Sequence, residues 1–211
     1  MLGLPSTTAV GRAIPKKIFY RNLKLTGAQK DAFVAQVEQI RIEHSLKESL
    51  MGVPAGERVA EVVVLCLDVR ERVVPREVLA AIMRGMPNKV LAVCRHEGRC
   101  ALAVMRGKLY AGEWVPEDAA RVELRGSTLD ELWDGICEQV IFAEKTSEET
   151  PSTAVSLTVD ERIERERARE GLRKQVAALE RKHAREKQPA KRNDLFKQLR
   201  EARRQLAELT D

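Results

Sequence analysis

The chain has 211 residues, 44% hydrophobic and 33% charged, with a formal net charge of +5. That length suits one medium domain plus an appendage, and no apolar run nears the roughly 18–20 residues that a bilayer span needs. The charge is segregated: from Leu157 to Asp211 there are 16 Lys and Arg against 11 Asp and Glu, which leaves 21 of each sign in residues 1–156. The N-terminus shows no apolar signal core, so the expected setting is the cytoplasm, without a membrane partner.

In chain order, Met1–Pro15 reads as irregular, punctuated by Pro5, Gly11 and Pro15. A basic segment follows, in which Arg12, Lys16, Lys17, Arg21, Lys24 and Lys30 precede the first acidic residue, Asp31. Phe19 and Tyr20 within it can either stack on a ligand or pack on the core. Thr26 with Gln29 forms a capping-box pattern, and Phe33, Val37 and Ile40 recur on one helical face. The run Val62–Leu67 is continuously apolar, as expected of a strand covered on both faces. Pro75 suits the first turn of a helix with Val78, Leu79, Ile82 and Met83 inward, and Gly85 and Pro87 end it.

Three short strands are expected at Val90–Arg95, Cys100–Met105 and Leu109–Val115, turning at Glu97-Gly98 and Arg106-Gly107. A further strand near Arg121–Leu124 leads to a helix start at Ser127-Thr128, where Glu131 completes a second capping box, and the inner face of that helix carries Leu129, Leu132, Trp133, Ile136, Val140 and Ile141. Glu144–Thr158 is polar, holds Pro151 and lacks periodicity, so it reads as a linker. Beyond it, Leu172, Val176 and Leu179 face Leu195, Leu199, Ala202, Leu206 and Leu209 across a break at Gln188-Pro189-Ala190, the pattern of an antiparallel helical hairpin. Between Ile163 and Leu172 charge pairs such as Glu170 with Lys174 replace an apolar stripe, so weak ordering is expected there. With few large apolar side chains for some fifty residues, the hairpin should be marginal alone.

Candidate chemistry is sparse. The four cysteines read as free thiols, and Cys94, His96 and Cys100 lack the paired knuckles and fourth ligand of a zinc site. No phosphate-binding glycine loop follows the buried strand, so no metal and no cofactor is expected. Glu61 and Asp68 flank that strand and are the one carboxylate pair that suggests Mg²⁺-dependent hydrolysis of nucleic acid. The stronger signal is charge. From Arg173 to Arg204 twelve basic residues meet four acidic ones, an excess suited to a phosphate backbone.

The opening Met1-Leu-Gly-Leu-Pro5 with Thr8, then Ile14-Pro-Lys-Lys17, Phe19-Tyr20, Trp114 near Pro116, Leu179-Glu-Arg-Lys182, Glu186-Lys-Gln188 and Leu195-Phe-Lys-Gln-Leu199 form a distinctive set. Together they resemble a bacterial and archaeal family, domain of unknown function 4391, over nearly the whole chain. Genes of that family neighbour helicases and adenine-type DNA methyltransferases, so the resemblance implies an accessory subunit of a DNA-defence or restriction–modification system.

The expected fold class is α+β: a mixed, mainly antiparallel sheet with flanking helices in residues 1–143, a linker at 144–158, and a basic, coiled-coil-like helical hairpin at 159–211. The expected function is non-catalytic, with a helicase or DNA methyltransferase as partner and nucleic acid as a second ligand. Arg12, Lys16, Lys17, Arg181, Lys182, Arg185, Lys191 and Arg192 are the candidate contact residues, acting as charge donors and not as base readers. Two alternatives stand beside this: a Mg²⁺-dependent nuclease using Glu61 and Asp68, and a structural module that forms a homodimer through the hairpin.

Overall fold

A computed structural model describes residues 2–143 and 157–209. The chain divides into two compact units, Met1–Ser152 and Thr153–Asp211. Of the linker expected at 144–158, residues 144–156 lie outside the described residues.

The first unit is built on a seven-stranded mixed sheet. Its strands are β1 (Ala9–Ala13), β2 (Val37–Lys47), β3 (Glu61–Val69), β4 (Lys89–His96), β5 (Arg99–Arg106), β6 (Lys108–Ala111) and β7 (Val115–Pro116). They lie in the order β1-β2-β3-β4-β5-β6, and β7 pairs with β5 beyond β6. Every pairing is antiparallel except that of β3 with β4. The parallel step is bridged by helix α4 (Arg76–Gly85), as a crossover between parallel neighbours requires. The β4–β5 hairpin turns through Glu97 and Gly98, both at positive φ (45° and 73°), the conformation that suits the right-handed twist of the flanking strands.

Helices cover both faces. Leu65, Leu67 and Val69 of β3 share a core with Phe19 of α1 (Lys16–Asn22), Phe33 of α2 (Gly27–Gln36) and Val78, Leu79 and Ile82 of α4. The alternate residues Val62, Val64 and Cys66 point to the opposite face. There α5 (Leu129–Ile141) packs over β3, β5 and β6 and buries Leu129, Leu132, Trp133, Ile136 and Val140.

Several expectations change. The segment Met1–Pro15 is ordered into a 3₁₀ turn (Ser6–Thr8) and the edge strand β1. The Thr26 capping box is present, but its helix ends at Gln36, and Val37 and Ile40 belong to β2. Extending β2 gives the β3 backbone a full ladder, which outweighs one more helical turn. Arg121–Leu124 forms no strand. Its backbone is instead tied at Val122 to Leu2 and at Glu123 to the Gln139 side chain. The expected strand Leu109–Val115 is split into β6 and β7 around Gly112–Trp114. The helix start at Ser127-Thr128 divides its two bonds between the pair: the Thr128 hydroxyl accepts from the Glu131 N–H, and the Glu131 carboxylate accepts from the Ser127 N–H and hydroxyl.

The second unit is an antiparallel pair, α6 (Val159–Arg185) and α7 (Pro189–Glu208). Thr158 and Glu161 form a reciprocal capping box at the start of α6, and Pro189 occupies the first turn of α7, where its missing N–H leaves no donor unpaired. The stretch 163–172, expected to order weakly, is continuous helix within α6. Ion pairs support it, Arg169 with Glu166 at 2.8 Å and Lys174 with Glu170 at 2.6 Å, and Ile163 at its start is buried.

Candidate nucleic-acid interface

The hairpin closes on a short apolar seam in which Val176 and Leu179 of α6 pack with Leu195, Leu199 and Ala202 of α7. Register is fixed across it by Arg203, which donates to the Glu180 carboxylate at 2.7 Å. At the open end Arg165 Nε donates to the Leu209 carbonyl at 2.9 Å, meeting an acceptor that the end of α7 would otherwise leave unpaired.

Charge is compensated unevenly along this pair. In the open half carboxylates take up several of the cations: Glu166 holds Arg169, Glu170 holds Lys174, and Glu201 holds Arg204. The hydrogen bonds from Arg204 and Gln205 keep the Glu201 carboxyl below its usual range. At the closed end Arg181, Lys182, Arg185, Lys187, Lys191, Arg192 and Lys197 are all exposed. No side chain of these seven makes a hydrogen bond or ion pair with a described residue. Lys182, Arg185 and Lys191 line a groove of about 510 Å³ there, with Glu186, Asp194 and Gln198 beside them.

The eight candidate residues therefore fall into three groups. Arg181, Lys182, Arg185, Lys191 and Arg192 are gathered at the closed end of the hairpin. Arg12, on the edge strand β1, and Lys17, in the first turn of α1, are exposed on the other unit. Lys16 is committed: its ammonium donates to the Phe33 carbonyl at 3.3 Å and also to that of Val37, at the C-terminal end of α2. Helix ends favour cations there. Burial, with Arg70 nearby, lowers the pKa of Lys16.

A second polar feature was not anticipated from the sequence. At the carboxyl ends of the parallel strands a cleft of about 400 Å³ is lined by Glu38, Asp68, Arg70, Arg95, His96 and Glu117 among others. Arg95 donates to Asp68 Oδ1 through Nε (2.9 Å) and Nη2 (2.7 Å), and Arg41 lies 3.6 Å from Oδ2. His96 Nδ1 stands 3.0 Å from the Val69 carbonyl. A carbonyl only accepts, so Nδ1 carries the proton. Beneath the ion pairs burial pushes the Cys66 thiol up to about 12, as it does Cys94, which makes both poor nucleophiles at neutral pH. The available signal was Asp68 and Arg95, each the first polar residue after an apolar strand. Only their parallel register, Asp68 beside Arg95, turns them into a pair.

Glu61 and Asp68 lie at opposite ends of β3. Seven residues of strand separate them by roughly 23 Å. Glu61 accepts from the Ser45 hydroxyl and from Asn88 Nδ2 at 2.6 Å, and Asp68 is neutralised by two guanidinium groups. No single metal ion can be held by both.

Fold and site thus define an α/β unit with a mixed sheet, joined in sequence to a basic helical hairpin. The model of one family, Domain of unknown function (DUF4391), matches residues 2–206, and the chain belongs to that family. No curated protein and no solved structure matches it. Among the described residues no helix is long and apolar enough to cross a membrane.

Proposed function

We propose that this protein is a non-catalytic accessory subunit that grips a nucleic-acid phosphate backbone with the closed end of its hairpin. Its α/β unit would dock on a helicase or DNA methyltransferase of a bacterial DNA-defence or restriction–modification system. The observation that carries the nucleic-acid part is the set of seven exposed cations without carboxylate partners. A merely solvated helical face gains by interleaving opposite charges, as the open half of the same hairpin does. Leaving like charges uncompensated has a cost, which a polyanion removes while its condensed counterions are released. The partner class rests on the gene neighbours that the family resemblance implies.

The test is a salt titration of binding to labelled DNA by the full chain. If about four cations meet phosphates of a duplex, log affinity falls against log salt with a slope of roughly −3.6. The double variant Lys191→Glu, Arg192→Glu should flatten that slope by about two contacts' worth. A complex indifferent to salt, or no complex at low salt, leaves only the protein partner. Tagging the chain in its own cell and identifying what co-purifies tests the partner; recovery of neither enzyme class refutes it.

A further inference from the structure

One large side chain in the hairpin is in the wrong place for a core. Phe196 is 52% exposed, and between residues 159 and 209 it is the one large apolar side chain so exposed. It is not part of the seam, which runs through its neighbour Leu195 and through Leu199. Its ring is held from one side by His183 of α6, with centroids 6.1 Å apart and planes inclined at 44°. On α7 it stands four residues after Arg192 and four before Arg200, so the three side chains share one face, an aromatic ring with a guanidinium a turn above and a turn below. Arg192 and the adjacent Lys197 are among the unpaired cations of the closed end.

We infer that this face binds single-stranded nucleic acid, with a base stacked on Phe196 and the flanking phosphates met by Arg192, Lys197 and Arg200. The inference rests on the proposed nucleic-acid reading and narrows it to a strand type. A protein partner or a second copy would need a contiguous apolar patch, and interface cores are depleted in lysine. Here one isolated ring sits among Lys and Arg. In a duplex the bases are already stacked on one another and offer no free face to a ring on a helix surface. A single strand offers a π-face at every base, and aromatic rings set in a basic groove are how sequence-tolerant single-strand binders are built.

The experiment is fluorescence anisotropy of the full chain against labelled oligo-dT and a labelled duplex of equal length, at the same salt. Phe196→Ala should weaken oligo-dT binding by about five- to a hundredfold, the range for loss of one stacked base, and leave duplex binding within twofold. Phe196→Trp should restore oligo-dT binding, with its added indole emission quenched on complex formation. Equal losses on both ligands, or none on either, overturn the stacking site while leaving the phosphate-backbone reading intact. Absence of binding to both ligands by the parent protein at low salt overturns that reading as well. Light scattering that gives a dimer for the parent and a monomer for Phe196→Ala would assign the ring to a second copy and refute the inference. Unchanged helical circular dichroism excludes misfolding of the variant, whose replaced ring is largely in water.

Discussion

Replacing Leu199 with alanine should melt the hairpin and spare the sheet. Leu199 is 6% exposed and belongs to a seam of only five apolar side chains. Between 159 and 209 the buried residues are Val159, Ile163, Leu179, Leu199 and Ala202. Truncating a buried leucine costs about 2–5 kcal/mol, least where surroundings can collapse into the gap. A seam between two otherwise solvated helices collapses easily, so about 2–3 kcal/mol applies here. That is a large share of what so small a core can supply against the ordering of its backbone. Two signals separate the units. Helices α6 and α7 contain 27 and 20 residues, against 7, 10, 4, 10 and 13 in α1, α2, α3 (Glu48–Met51), α4 and α5, so the hairpin supplies about half of the circular dichroism at the helical minimum and its melting reads as a separate transition there. Both tryptophans, Trp114 and Trp133, lie in the α/β unit, so their emission reports that unit alone. Leu199→Ala should lower the midpoint of the hairpin's dichroism transition by more than about 10 °C and leave in place both the tryptophan midpoint and the dichroism transition that coincides with it. A single shared midpoint, or a dichroism midpoint unmoved by the substitution, would show that the hairpin does not melt as a weak separate unit.

Two further outcomes concern the α/β unit. The Thr8 hydroxyl donates to the Pro5 carbonyl at 2.7 Å and must therefore accept, at 2.8 Å, from His44 Nδ1, which fixes the neutral tautomer; burial lowers the His44 pKa. Below about pH 6.5 the unfolded chain takes up a proton that the native state refuses, so stability should fall from there down to the lowered native pKa. Urea midpoints measured across that window check this, and His44→Gln should flatten the slope; an equally steep slope in the variant would place the titrating group elsewhere. Lys16→Met removes the ammonium from the Phe33 and Val37 carbonyls and should cost about 1–2 kcal/mol while leaving DNA affinity unchanged. A drop in affinity without a drop in stability would return Lys16 to the binding surface.

What the sequence revealed, and what it hid, follows from whether a signal is local. The Thr26 box, the Val62–Leu67 strand and the α4 stripe are each written within a dozen residues, and each is present; of the expected hairpin seam, Val176, Leu179, Leu195, Leu199 and Ala202 pack together, while Leu172, Leu206 and Leu209 fall outside that cluster. The end of α2 was not legible, because Phe33, Val37 and Ile40 fit a helical face as well as they fit a helix running into a strand. Ile40 and Ile42 alternate as a strand does, but Ile40 fits the helical face equally well, and a bulge between Ile42 and His44 breaks the alternation beyond them. Strand β1 is exposed at every position and pairs only with β2, so no apolar pattern announces it. Arg121–Leu124 shows the converse: alternation without a neighbouring strand to pair with. For the site, the excess of cations was plain from composition. Which of them are free was not, since Lys16 differs from Lys17 only in what α2 presents to it. The cleft of Asp68 and Arg95 arises from register between strands 27 residues apart.

The hairpin's weakness and its charge belong to one argument. A pair of helices with five buried residues has little stability to spare, yet its closed end carries seven cations without partners, whose mutual repulsion opposes folding most where the chain turns back on itself. The fold held the means to avoid this, since the open half interleaves Glu166, Glu170, Glu201 and Glu208 with its arginines and lysines, while the stretch from Arg181 to Lys197 sets seven cations against two carboxylates, Glu186 and Asp194. A ligand that binds the folded hairpin better than the unfolded chain stabilises it by the free energy of that preference. An anionic polymer laid along the closed end meets the requirement in two ways, by removing the repulsion and by bridging α6 to α7 through Lys182 and Arg185 on one side and Lys191 and Arg192 on the other. On this reading the missing carboxylates and the thin seam are two sides of one design: the hairpin becomes firm when it is occupied.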